Sequence, residues 1–205
     1  GCRATNYIPL LRKALIDAGF PQVPVVSLSM GNQGTEKGFK FTVPLLTRFM
    51  IAVLYGDLFE RVVYRTRPYE ATEGSVNAKW LEKARKNVES GSIFEFNRNM
   101  KKIVTEFDQI ELLDIQKPRV GVVGEILVKY SKTANDDIVS IIEEEGGEAV
   151  VLDLIGFMNY SLYNQIWKAD EIGFSKKNKL MAKTFIGIIN MLEKPMNKAL
   201  KASKR

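Results

Sequence analysis

The sequence predicts an α/β protein in which parallel βαβ pieces are interrupted by a large helical insertion and followed by a helical C-terminal tail. Three observations carry that expectation. Residues 117–124 (Lys-Pro-Arg-Val-Gly-Val-Val-Gly) form a short apolar run that opens after Pro118 and stops at Gly124, the pattern of a strand start. Residues 149–152 (Ala-Val-Val-Leu) repeat the pattern one helix later, so strand, helix and strand form a right-handed βαβ unit with parallel pairing. Between residues 31 and 116, apolar side chains recur at helical spacing.

The elements follow in order. Asn6 is placed to cap a helix with Ile8, Leu11, Leu15 and Ala18 on one face, Pro9 is tolerated in its first turn, and Gly19 ends it. The β-branched run at residues 23–29 reads as a buried strand. The strand that should precede Cys2 is missing and there is no initiator Met, so the chain reads as a fragment cut through a larger protein, with residues 1–30 a partial α/β unit. Residues 31–38 are a polar loop. Thr42 and Pro44 open a long helix reaching about Arg65, and Pro68 closes it. A second helix over residues 76–89 turns Val76, Trp80, Ala84 and Val88 inward. Ser92 and Glu95 make a capping box for a third, with Ile93, Phe96, Met100, Ile103 and Phe107 on one stripe. These helices make residues 31–116 one block, and residues 117–155 the βαβ unit. Within that unit Asn135 or Asp136 caps a helix faced by Ile138, Val139, Ile141 and Ile142, and Gly146-Gly147 terminates it. Residues 156–205 read as two or three helices with a break at Pro195.

Composition narrows the chemistry. Hydrophobic residues make up 45% and charged residues 26%, the balance of a globular chain. The longest apolar stretch, residues 43–59, is broken by Arg48 and Asp57, so no membrane span is expected. One Cys excludes an internal disulfide framework and fits a reducing, cytoplasmic compartment. The chain has no His, which excludes a His general base, a Ser-His-Asp triad and a self-contained zinc site. The net charge of +6 is uneven: residues 168–205 hold ten Lys/Arg against three Asp/Glu, or +7, and the remainder carries −1. The body therefore gives no electrostatic case for nucleic acid.

Three places can carry a ligand. Residues 124–136, beyond the carboxyl end of the first strand, gather Glu125, Lys129, Tyr130, Asn135 and Asp136 around a helix N-terminus, where backbone N–H groups favour anions. The same residues also serve as ordinary caps and braces. No Gly-x-Gly-x-x-Gly fingerprint accompanies Gly121 and Gly124, so a dinucleotide site has no support. Arg61, Arg65 and Arg67, with Tyr64 and Tyr69, cluster at a helix end, able to grip a phosphate or carboxylate or simply to complement the dipole. The tail sets Leu180, Met181, Phe185, Ile188, Ile189 and Leu192 against many Lys, a face for a membrane surface, a partner helix or its own domain. No catalytic residue stands out.

Several stretches together resemble one family: residues 1–15 (Gly-Cys-Arg-Ala-Thr-Asn-Tyr-Ile-Pro-Leu-Leu-Arg-Lys-Ala-Leu), 24–29, 54–57 (Leu-Tyr-Gly-Asp), 64–69 (Tyr-Arg-Thr-Arg-Pro-Tyr), 117–126, 133–135 and 148–151. In order and spacing they are similar to the large activator-related proteins of the 2-hydroxyacyl-CoA (2-hydroxyglutaryl-CoA) dehydratase system, in their later, dehydratase-subunit-like region. The resemblance covers about residues 1–170. It implies Rossmann-like lobes with inserted helices, and a [4Fe-4S] cluster held by Cys residues from different parts of the full protein, with Cys2 as one ligand. It implies a role in binding the cluster or an acyl-CoA-type ligand, with other domains of the same polypeptide and a dehydratase component as partners. The alternative is a scaffold domain that joins ATPase modules to a partner. One departure is Ser131-Lys132, where the family pattern leads one to expect His-Pro.

Overall fold

The computed structural model describes residues 6–26, 42–76, 79–173 and 175–203. Cys2 lies outside them. By internal contacts the chain divides into two units, residues 1–46 and 47–205.

In the first unit, α1 spans Tyr7–Asp17. It ends as expected, with Gly19 at φ +84° in the left-handed region that favours glycine. Asn6 precedes the helix but makes no side-chain capping bond. The strand expected over residues 23–29 is not formed in its described part. Val23 N–H donates back to Phe20 O at 3.1 Å and Pro24 has no N–H, so residues 23 and 24 have no donor for a ladder. Residues 27–29 lie outside the described residues.

The second unit is a mixed α/β body dominated by helices. Its helical block comprises α2 (Val43–Thr66, which starts in the first unit), a 3-10 turn at Arg67–Tyr69, α3 (Lys79–Ser90) and α4 (Ile93–Phe107). The long helix ends beside Pro68 as the sequence predicts. Ser92 Oγ accepts from Glu95 N–H at 3.2 Å, which is half of a capping box. The other half is replaced: Ser90 Oγ takes the Ser92 N–H, and Glu95 turns to Asn87 Nδ2. Val76 precedes α3, and residues 77–78 lie outside the described residues.

Ile51, Leu54, Leu58, Phe96, Met100 and Ile103 are almost completely buried and form the centre of the core. Trp80 and Ala84 join from α3, whereas Ile93 remains exposed at the helix start. Sequence periodicity does not show the polar thread through this core. Tyr55 O–H donates to Asn87 Oδ1 at 2.7 Å, and Asn99 Nδ2 donates to the Tyr55 hydroxyl at 3.0 Å. The thread ends where Asn87 Nδ2 donates to Ser92 O. Each buried amide thus has a partner, and the three helices are held in one register.

The βαβ unit is present. Strand β1 (Arg119–Val122) pairs in parallel with β2 (Glu148–Val151), Arg119 opposite Glu148 and Val122 opposite Val151. The expected polar connection contains an extra short helix, α5 (Ile126–Tyr130), before α6 (Ile138–Glu144). The cap of α6 is Asp137, rather than Asn135 or Asp136, with φ at +50°. Asn135 still contributes, because its Oδ1 accepts from Ile138 N–H. Gly146 ends α6 at φ +86°, and a Cβ on Gly147 would sit 2.8 Å from Ile142 Cγ2. A side chain at Gly147 would push α6 away from the sheet.

The tail folds as two helices, α7 (Leu154–Glu171) and α8 (Lys176–Ala202). The break expected at Pro195 does not occur, and α8 runs through it. Proline inside a helix costs roughly 3 kcal/mol. Met196 and Ile189, on either side of it, are buried in the same core, and such burial contributes about 1.5–3 kcal/mol per side chain. Packing therefore outweighs the local penalty. The buried stripe of α8 is also rotated from the one read in the sequence: it is Ala182, Ile186, Ile189, Glu193 and Met196, while Leu180 stays 68% exposed. Among the described residues, no helix is long and apolar enough to cross a membrane.

Candidate functional site

Helix α2 presents Asp57, Glu60, Arg61, Tyr64 and Arg65 at helical spacings of three and four, and two of them, Asp57 and Arg61, bond to the start of α7. Asp57 reaches across the chain: its Oδ1 accepts from Leu154 N–H at 2.9 Å and its Oδ2 from Ile155 N–H at 2.8 Å. Asp153 caps the same helix by accepting from Gly156 N–H, and it is ion-paired with Arg61. The N-terminus of α7 is thus filled by the protein's own carboxylates. It has no room for an external anion.

Next to this junction a pocket of about 610 Å3 opens between α2, the sheet and the end of α8. Val104, Phe107, Val122 and Leu200 supply apolar wall, and the charged lining residues fall into two groups. Most are committed. Arg61 is bound to Asp153, while Glu148 accepts from Arg119 Nε at 3.1 Å and Tyr69 O–H at 2.8 Å. Asp108 accepts from Ser203 Oγ. Three are not: among the described residues Arg65 and Lys201 enter no ion pair, and Glu60 Oε2 is buried without a hydrogen-bond partner.

Burial raises the Glu60 carboxyl to about 7, helped by Asp57 and Asp153 and opposed by Lys129. Burial also raises Asp57, against the N–H bonds that it accepts. The sign for Glu60 is unambiguous. Its folded pKa lies above its unfolded one, so the folded state binds more protons between about pH 4.5 and 7. Folding stability is therefore lost as pH rises through that window. Glu60→Gln should be more stable than the wild type at pH 8 and lose that advantage at pH 4. Urea midpoints at the two pH values check this, and equal midpoints at pH 8 would refute it.

The residues singled out in the sequence are distributed differently. Glu125 is the N-cap of α5, its carboxylate accepting from Leu127 N–H at 2.8 Å and Val128 N–H at 3.3 Å. Asn135 Nδ2 donates to Val128 O and Lys129 O, tying the end of the same helix. Tyr130 O–H donates to Leu152 O, and Lys129 Nζ lies 4.4 Å over the Tyr130 ring. These four form a braced loop, and none of residues 124–136 lines the pocket. Arg67 does grip a carboxylate with its fork, but the partner is Glu143 of α6, at 2.7 and 2.9 Å. Of the six candidates, Arg65 alone lines the pocket.

Glu60, Asp153, Arg119 and Lys201 were not singled out by sequence reasoning. One signal was available: Asp57 and Glu60 are three residues apart within a long, largely apolar stretch, where each buried charge needs a partner.

The donor set does not suit a whole iron–sulfur cluster. The chain has one Cys and no His, and a cluster takes about four protein ligands. Among the described residues no three His, Cys, Asp or Glu converge as metal ligands. Compared with family models, with curated proteins and with solved structures, the chain finds no match.

Proposed function

We propose that the chain is a non-catalytic part of a larger cytoplasmic protein of the 2-hydroxyacyl-CoA dehydratase activator type, and that its pocket receives an acyl-CoA-type ligand. The observation that carries this reading is the combination of uncommitted cations and apolar wall in one pocket of about 610 Å3. That volume falls within the roughly 300–1,000 Å3 of small-molecule sites. An acyl-CoA has phosphates at one end and an apolar arm at the other. Arg65 offers a planar fork suited to phosphate and Lys201 a point charge, while Val104, Phe107 and Leu200 suit the arm. The parallel β1–β2 pair is then one part of a Rossmann-like sheet whose other strands come from elsewhere in the polypeptide. Any cluster in the full protein needs most of its thiolates from outside this chain, with Cys2 contributing one.

Calorimetric titration of the chain with coenzyme A tests the proposal. Saturable binding is expected, weakened about tenfold or more in Arg65→Ser or Lys201→Ser, because each removes a charge-assisted bond of about 1.5–3 kcal/mol. Absent binding, or binding indifferent to both substitutions, would overturn it.

The scaffold alternative has one observation in its favour. Helix α7 leaves Tyr160, Tyr163 and Trp167 exposed at spacings of three and four, the residue types that anchor protein interfaces. A chain that ignores coenzyme A yet binds a dehydratase component through these aromatics would establish it.

A further inference from the structure

The charge inventory of the pocket contains one element that works against an anionic ligand. Glu60, Arg61, Tyr64 and Arg65 follow one another on α2 and all line the pocket. The other lining carboxylates are neutralised or hydrogen-bonded by named partners: Asp153 by Arg61, Glu148 by Arg119 and Tyr69, and Asp108 by Ser203. Glu60 Oε2 has none among the described residues, although it is buried. An ionised Glu60 therefore places in the wall of the pocket that Arg65 and Lys201 also line a negative charge that no hydrogen bond or ion pair among the described residues offsets.

We infer that anion binding in this pocket is coupled to a proton on Glu60: the neutral carboxyl admits the anion beside Arg65, and the ionised carboxylate repels it. The inference rests on the reading of the pocket as a site for phosphate-bearing ligands and adds its regulation. The charged and titratable groups facing Glu60 agree with this role. Asp57 shares α2 with it, Asp153 stands at the start of α7, and both disfavour its ionisation; Lys129 of α5 favours it. Tyr64 of α2 and Tyr130 of α5 are neutral phenols whose own ionisation Glu60 opposes. Glu193 of α8 faces Arg61, Asp153 and Asp57, and burial holds it above the usual carboxylate range. The balance places the Glu60 transition near neutral pH, where small changes alter its charge. By linkage, the bound anion must hold the proton on Glu60 as strongly as the proton favours the anion.

The test uses coenzyme A as probe and compares wild type with Glu60→Gln and Glu60→Met between pH 5.5 and 8.5. The ligand's own phosphate titrates in this range, and its effect is common to all three proteins, so the readout is the ratio of dissociation constants. That ratio should be near one at pH 5.5. It should rise to about fivefold or more at pH 8.5, with the wild type the weaker binder. Two neutral replacements are used so that a folding failure in one leaves the comparison intact. If neither replacement folds, calorimetry of the wild type in buffers of different ionisation heat decides, and proton uptake no greater than the ligand's own titration supplies overturns the inference. A ratio that stays flat while Arg65→Ser still weakens binding about tenfold or more overturns the Glu60 inference alone. Absence of coenzyme A binding by every protein overturns the pocket reading and this inference with it.

Discussion

Replacing Phe96 by alanine should lower the unfolding free energy by about 4 kcal/mol, within the roughly 3–5 kcal/mol range for losing a buried aromatic ring. Phe96 is completely buried, and its ring meets Tyr55 edge-on, 5.4 Å between centroids. The cavity would open in the buried cluster that also holds Leu54, Leu58 and Met100. The loss would also loosen Tyr55, whose hydroxyl links Asn87 and Asn99. A marginally stable domain of about 5–15 kcal/mol would keep little reserve after such a change. Urea denaturation measures it, and a loss below about 1 kcal/mol would show that the helical block is not organised around this ring.

Asp57→Ala should cost about 3 kcal/mol through a different mechanism. Two amides at the start of α7 lose their acceptor, and one of them, that of Ile155, belongs to a fully buried residue. Each lost bond to a charged group is worth about 1.5–3 kcal/mol. The raised pKa of Asp57 shows that burial taxes its charge more than those bonds favour it, so the sum is partly offset. Asp57→Asn should also destabilise, because its amide nitrogen would face an N–H where the carboxylate presented an oxygen. Thermal melts of the two variants distinguish the reading: an asparagine variant as stable as the wild type would show that one acceptor suffices.

Much of the local structure was legible because it is written in nearest neighbours. The stripe of α4, the cap at Ser92, the stop at Gly146 and the strands before and after α6 all follow from spacing, β-branching and turn chemistry within a few residues. The failures are places where distant contacts decide. Pro195 signals a break, yet burial of Ile189 and Met196 against other helices carries α8 through it. The apolar run at residues 23–26 has strand composition, but Val23 closes a turn on Phe20. The pocket was hardest to foresee. Its lining comes from α2, α4, both strands and α8, so no contiguous motif could announce it. The loop at residues 124–136 had the right residues in the usual position, and the structure uses them to brace itself.

The bond from Asp57 to the start of α7 also has a kinetic meaning. It joins positions 97 and 98 residues apart, and the Arg61–Asp153 pair beside it joins positions 92 apart. A nascent or refolding chain must close that whole loop before either tie can form, and the entropy of closure is spent well before the contacts reward it. The helical block closes shorter loops, of 32 and 44 residues at Tyr55, whereas the amides that start α7 must wait for the sheet crossover to be completed. Once made, these ties bind α2 to the start of α7 in one step, so that neither the block nor α7 is expected to melt alone.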